Sequence, residues 1–318
     1  MNDEAREPGA ERSALGRYPF PWVPDGWFAV ALDGELSPGG ALPVRALARD
    51  LVLYRGGGGE RWAADRGAPQ SILPVCECDG VLFVWHHARG EAPSWSVPVR
   101  RGARWSPIVT GGFEAQHHVQ ELAENTVDAT HGVLIHGFLE PTKIRSGRAE
   151  GPFWKIVWDL AIRRSYEPDV EDLQMPEIGG LVDGTLLDRP PKEAGAEGEE
   201  PLRTTLDITC CGLGMIDTVN TLPGLGWPHL VRFCITPLDE PWIRYLVIVS
   251  ALAPEGTDPE MVAELDRRSL AVALRDTRQD AFIFERKRYL QRPAITRREA
   301  ALMTVRRWAR QFYSGVQE

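Results

Sequence analysis

Residues 124–136 carry side chains whose types and spacing could hold a single metal ion. Asp128, His131 and His136 lie close together in the chain, with Glu124 and Asn125 just before them. Two neutral imidazoles and one hard anionic oxygen, with positions left open for dioxygen or substrate, are the donor set that mononuclear non-heme ferrous iron favours. The stretch has helical character. Residues five apart on an ideal α-helix are offset by about 140°. His131 and His136 therefore reach one ion only across a widened turn or a π-bulge, a distortion frequent at functional sites. Asp128 stands three residues before His131 and is its helical neighbour. A carboxylate there would accept the outward ring N–H and fix the tautomer. Spacing alone leaves a second reading open, a helix with two ordinary histidines, since His-x4-His is not a common zinc pattern.

These residues need a frame, and the chain offers one of mixed character. Residues 18 to about 108 read as short strands, among them 27–31, 51–54 and 81–85, separated by turns rich in Gly and Pro. From residue 109 onwards the pattern runs through the helical stretch with the two histidines. Further strands come near 154–160, 204–209, 229–236 and 242–249, then a long charged helix near 259–289 and a C-terminal tail. Helix, antiparallel sheet and helix make an α+β fold. Three segments are thus expected: a disordered leader (1–17), a β-domain (18–108) and a catalytic domain (109–318). The polar segment 189–201 reads either as a flap over the site or as a plain solvated insertion. In the long helix Asp276 and Asp280 are four apart and share a side. By composition alone either would be a surface residue, and Glu285 is a third acidic candidate.

The pattern Glu124-Asn125-x-x-Asp128-x-x-His131-x4-His136-Gly137 resembles the iron-binding motif of the Rieske-type non-heme iron oxygenases. Its spacing is similar to the branch containing 3-ketosteroid 9α-hydroxylase and cholesterol 7-desaturase. Gly80 to His86 resembles the strand that closes the family's N-terminal domain. Asp280 to Pro293 resembles the helix that donates the third ligand, and Arg306 to Tyr313 resembles the family's C-terminal segment. The likeness covers most of residues 18–313. It implies a helix-grip catalytic sheet, Fe(II) held by His131, His136 and Asp280, Asn125 close to the iron without binding it, and Asp128 relaying electrons. It also implies a trimer, because electrons in that family cross between subunits.

One family feature is missing. A Rieske cluster takes two cysteines on one iron and two histidines on the other, supplied in the family as Cys-x-His and Cys-x-x-His. None of the five cysteines, Cys76, Cys78, Cys210, Cys211 and Cys234, has a histidine two or three places after it. Only residues 55–72, with Gly56 to Gly59 and a polar turn, stand where the family places its cluster lobe. This pattern implies a reduced β-domain with no iron–sulfur cluster of its own and an external Rieske protein, or a complete oxygenase homologue, as electron donor.

Composition agrees with an enzyme rather than a nucleic-acid or membrane protein. The 318 residues carry 36 Lys and Arg against 45 Asp and Glu, a net charge of −9 that disfavours binding to phosphate backbones. No apolar run approaches the roughly twenty residues of a membrane span. The first residues lack an apolar secretory core, and an odd number of cysteines fits reduced thiols, so a cytoplasmic location is expected. Of the other histidines, His117 and His118 are expected to orient the helix or line an interface, and His86 and His87 to be structural. His229 has a minor claim on the pocket. Some of the eleven tryptophans are expected to pack the core and some to wall an apolar pocket.

The expected activity is hydroxylation or desaturation, with dioxygen, of an apolar, steroid-like or polycyclic substrate. Two alternatives remain open. One is a non-catalytic subunit completing a mixed ring with a full oxygenase. The other is an iron enzyme reduced by a cosubstrate or by the substrate itself.

Overall fold

Two antiparallel sheets and four helices make up the computed structural model, which describes residues 18–162, 201–221, 226–295 and 299–316. The expected leader and most of segment 189–201 lie outside the described residues. The first sheet is built from β1 (Gly26–Leu32), β2 (Ala41–Ala46), β3 (Arg49–Arg55), β4 (Arg61–Asp65), β5 (Ala68–Cys78) and β6 (Val81–His86), in the order β1-β6-β5-β4-β3-β2. Every residue of β6 is buried, because successive side chains point to opposite faces and both faces are covered. Leu82 and Val84 join Phe28, Leu51 and Leu53 on one side. Val81, Phe83 and Trp85 meet Cys211, Met215, Cys234 and Ile248 of the second sheet on the other.

Residues 55–72 differ from the turns expected of them. Trp62 and Ala63 place β4 within this stretch, with Ala63 fully buried and Trp62 stacked on Tyr54 at 5.6 Å. The polar character that suggested a turn belongs to the alternating outer face of the strand. Cys76 and Cys78 both lie on β5.

The second sheet runs β7-β13-β12-β11-β10-β9-β8, all antiparallel. Its strands are β7 (Val109–Ala115), β8 (Lys143–Glu150), β9 (Phe153–Ile162), β10 (Leu202–Cys211), β11 (Met215–Thr221), β12 (Pro228–Pro237) and β13 (Ile243–Ala251). The expectation that residues from 109 open with the metal-binding helix is corrected: they open with edge strand β7. That helix is itself two pieces, α1 (Gln120–Asn125) and α2 (His131–Leu134), with a non-helical turn between them.

The long helix, α3, spans Pro259–Phe284, and the expected tail contains a further helix, α4 (Ala301–Ala309). The start of α3 is fixed by Pro259 at its first position and by Asp258, whose carboxylate accepts the Glu260 N–H at 3.0 Å. The helix packs across β13 and β7. Gly112 in β7 allows the close approach of neighbouring β13, since a Cβ there would stand 2.2 Å from the Tyr245 carbonyl oxygen. The buried side of α3 is Val262, Asp266, Leu270, Ala273, Thr277, Asp280, Ala281 and Phe284, a helical stripe that includes Asp280 and leaves Asp276 out.

Arg232 on β12 binds the two sheets together. Only 1% exposed, it donates to both oxygens of Asp217 on β11, at 2.7 and 3.2 Å, and to the Pro98 carbonyl at 3.0 Å. It also pairs at 3.0 Å with Asp79, in the turn between β5 and β6. Removing one member of a buried pair strands the other charge in a poor solvent. Arg232→Leu should therefore cost on the order of 3–5 kcal/mol in chemical denaturation. A loss below about 1 kcal/mol, the level of an exposed pair, would refute this role.

Candidate metal centre

The turn between α1 and α2 aims the first histidine. The N–H groups of Thr126, Val127 and Asp128 bond to carbonyls three residues back, tightening the end of α1. Asp128 Oδ1 then accepts from Thr130 N at 3.0 Å, Thr130 Oγ1 at 3.0 Å and His131 N at 3.2 Å, which caps α2. The Asp128 carbonyl oxygen, not its carboxylate, lies 2.6 Å from His131 Nδ1. That corrects the expected carboxylate contact, while the consequence is the one expected: Nδ1 carries the proton and Nε2 offers its lone pair. Trp158 of β9 donates its indole N–H to the Thr126 carbonyl at 2.8 Å and packs 5.8 Å from the His131 ring.

The second histidine is brought round by a wide loop at the end of α2. Gly137 has φ +73°, and the Phe138 N–H reaches back to the Gly132 carbonyl at 2.9 Å. Gly132 is required at this closure, because a Cβ there would come within 2.3 Å of the Phe138 ring. His136 Nδ1 meets Gln279 Oε1 at 3.0 Å, and its Nε2 meets Asp280 Oδ1 at 3.2 Å. Asn125 Nδ2 lies 3.3 Å from His131 Nε2 and donates to Asp280 Oδ2 at 3.1 Å.

His131, His136 and Asp280 thus present ligand atoms that all lie within 4.8 Å of one another. Among the described residues this grouping of three ligand-type side chains occurs here and not at Cys76 or Cys78. Two donors about 2.1 Å from one ion at a right angle stand about 3 Å apart, close to the His136–Asp280 spacing. Two imidazoles and a carboxylate without thiolate fit ferrous non-heme iron.

The other acidic candidates fall away. Asp276 Oδ1 is 4.0 Å from His136 Nδ1, on the side of the ring away from the convergent Nε2 atoms, and Glu285 accepts the Gln116 N–H at 3.2 Å. The minor claim of His229 is overturned: it is 1% exposed, paired to Asp266 at 3.2 Å and outside the cavity wall. His117 bonds to Tyr245 Oη at 2.9 Å, and His118 stacks on Tyr18 at 4.3 Å. Burial lowers the His118 pKa to about 4. His86 is likewise buried, its pKa lowered to about 4 by burial and Arg49.

A cavity of about 310 Å³ opens beside the centre, lined on its apolar side by Val127, Leu134, Ile135, Ile283, Phe284 and Leu302 and on its polar side by Glu124, Asn125, Asp128, His131, Asp280, Lys287 and Glu299. The expected tryptophan wall is not found among its described lining residues. Sequence reasoning missed the Gln279 contact to His136. It also missed the pair behind Asn125, in which Arg306 grips both oxygens of Glu124 at 3.0 and 2.8 Å. The position of Gln279 immediately before Asp280 was the available signal for the first. For the second, only the three-dimensional fold brings α4 to α1.

Residues 84–313 match the family described as 3-ketosteroid 9α-hydroxylase C-terminal domain. The chain belongs to that family. It is a relative of the Rieske oxygenase alpha subunits, in the branch of 3-ketosteroid 9α-hydroxylase and cholesterol 7-desaturase. It is 24% identical to cholesterol 7-desaturase nvd of Xenopus laevis over 76% of this chain and 51% of that protein, so it spans about half the length of that relative. Against the Bombyx mori cholesterol 7-desaturase the identity is 24%, covering 96% of this chain and 72% of the other. A probable 3-ketosteroid-9-alpha-monooxygenase oxygenase component of Rhodococcus rhodochrous is 23% identical over 77% of this chain and 57% of its own length. Dicamba monooxygenase bound to 3,6-dichlorosalicylic acid shares the fold, with a TM-score of 0.61, 16% identity, and coverage of 91% of this chain and 97% of that one.

Burial opposes a charge on His136, but Asp280 at Nε2, with Asp276 and Gln279 nearby, outweighs it and raises its pKa to about 9. A histidine that binds its proton more tightly when folded contributes stability in full below about pH 6.5, and that stability fades as pH rises through about 9. The metal-free protein should therefore lose thermal stability between about pH 6.5 and pH 9. Ferrous ion should remove most of this slope by taking the proton's place, with proton release detectable in a weakly buffered indicator solution. Gln279→Ala should weaken metal binding about 10- to 100-fold, measured by competition with a chelator. Unchanged affinity would remove Gln279 from the site.

Proposed function

We propose that this chain is the oxygen-activating subunit of a Rieske-type oxygenase that hydroxylates or desaturates an apolar, steroid-like substrate and draws its electrons from a separate protein. The observation that carries this reading is the convergence of His131, His136 and Asp280, two of which, His131 and Asp280, line a cavity with a partly apolar wall. The cavity volume falls at the lower end of the roughly 300–1,000 Å³ of small-molecule pockets. The names of the relatives, cholesterol 7-desaturase and 3-ketosteroid-9-alpha-monooxygenase, support the substrate class.

A ferrous ion held there would supply the place where dioxygen is reduced. The two histidines present Nε2 with Nδ1–H tied back to Asp128 and Gln279. Asn125 orients Asp280, and the aliphatic side chains of the cavity wall offer an apolar surface to the substrate. Hydroxylation consumes the substrate C–H, dioxygen, two electrons and two protons, and yields the alcohol and water. Desaturation takes the same two electrons and two protons, removes two substrate hydrogens and yields two waters. Both need an outside reductant.

We read the seven-stranded sheet with α3 against it as the family's helix-grip domain, and the six-stranded sheet as a Rieske-like domain reduced to its β framework. Support for a missing cluster is the absence of Cys-x-His and Cys-x-x-His from the sequence. Support for Asp128 as the electron relay is its place: Oδ1 takes three donors from the turn that carries His131, its carbonyl meets His131 Nδ1, and the residue lines the cavity. On this reading the chain works in the cytoplasm, in a trimeric ring with like or complete subunits.

Anaerobic reconstitution should give one ferrous ion per chain without acid-labile sulfide, and Asp280→Ala should abolish uptake. Sulfide with additional iron would defeat the clusterless reading. Asp128→Asn should retain iron yet lose donor-driven turnover by at least about tenfold. Normal turnover in that variant would end the relay assignment.

A further inference from the structure

A second cleft, of about 520 Å³, shares α4 with the metal cavity: Leu302 lines the cavity and Met303 the cleft. Four arginines, Arg292, Arg306, Arg307 and Arg310, line it with Tyr289 and Phe20, and its described lining holds no acidic residue. In a chain of net charge −9 this is a marked segregation of charge. Arg292, Arg307 and Arg310 are exposed, and none forms an ion pair with a described residue. Three like charges gathered with no counterion among the described residues repel one another, a cost that an anionic occupant relieves.

Arg306 differs from the other three. It is 5% exposed and forms the back wall, with its guanidinium 4.1 Å above the Tyr289 ring and both Glu124 oxygens in its grip. Glu124 lines the metal cavity, and the next residue, Asn125, touches His131 and Asp280. One ion pair therefore separates the floor of the cleft from the centre.

We propose that this cleft is the docking site of the external electron donor, and that the surface it receives is rich in carboxylates. The proposal rests on the reading that electrons arrive from a separate protein. A protein face is favoured over a small anion because three of the guanidiniums stand exposed on the rim of the cleft. Exposed charges bind a point anion weakly in water, yet steer and orient a broad complementary face efficiently.

The test uses the full chain and an acidic [2Fe–2S] ferredoxin of the plant type as probe, titrated calorimetrically at low and moderate salt. Binding should weaken at least tenfold between 50 and 200 mM NaCl. Arg307→Glu/Arg310→Glu should weaken it at least tenfold at low salt, and Arg292→Glu by a smaller factor. Arg66→Glu/Arg89→Glu, in the β4–β5 turn and just after β6, makes the same change in charge and should leave binding within twofold of the parent. The proposal is overturned if the parent does not bind the ferredoxin, if the cleft variants bind normally, or if the loss follows Arg66 and Arg89 instead. It also falls if inorganic phosphate binds the parent at micromolar concentration and is lost with Arg307 and Arg310, which would make the cleft a small-anion site. Iron content, measured on every variant, tests the oxygenase reading separately, since ferredoxin binding does not require the metal to be present.

Discussion

The contact on which the centre depends is that between His136 Nε2 and Asp280 Oδ1, 3.2 Å apart and 144 residues distant in sequence. Neither group can be placed by local structure alone. His136 reaches its position because Gly132 tolerates the Phe138 ring and Gly137 adopts a left-handed conformation. Asp280 reaches its position because α3 docks with its apolar stripe on β13 and β7. Hydrophobic burial along α3, from Val262 to Phe284, therefore helps to hold the two groups together. An acidic residue at 8% exposure is costly unless paired. Here the pairing comes from the ligands themselves and from Asn125.

The same logic extends behind the centre. Glu124, 2% exposed, would be pushed by burial to a raised pKa, but Arg306 and Lys287 more than offset this and hold it below the ordinary carboxylate value. Tyr18 and Gln120 donate to it as well, each at 3.0 Å. Since a half-satisfied buried network is worse than an apolar core, this pair acts as a rigid backing for α1. It fixes Asn125 from behind, while Trp158 fixes Thr126 from the sheet. The short turn carrying His131 is thus clamped on two sides, which four residues of helix could not achieve alone.

Much of the site was legible in the sequence, and the reasons are local. His131 and His136 stand in one short segment, and their spacing already demanded a departure from the ideal helix; the wide loop after α2 is that departure. Asp280 was legible through its resemblance to a family helix. Its burial could also have been read from the 3.6-residue stripe of Val262, Leu270, Ala273, Ala281 and Phe284. Less visible was β4, whose outer face of Arg61 and Asp65 disguises a strand as a turn. The contact between Asp128 and His131 was read at the level of residues but not of atoms, because carbonyl and carboxylate of one aspartate are alternative acceptors that only geometry separates. The Arg306–Glu124 pair spans 182 residues and has no periodic signature.

A metal site that binds by ordering its ligands is unfolded without its ion. This centre is built differently. Every ring nitrogen of His131 and His136 has a polar partner, supplied by Asp128, Gln279, Asn125 and Asp280. The Asn125 amide reaches His131 and Asp280 together, two of the three groups that an ion would otherwise join. Such satisfaction lets the fold form first and makes the ion an exchangeable addition, at the cost of moving one amide and displacing one proton. It also means that affinity is set by differences, since each bond to the ion replaces a bond already made. A preorganised but self-satisfied triad would suit a centre that takes up a metal ion and leaves positions open on it, because side chains held by packing need no further ligand to keep them in place.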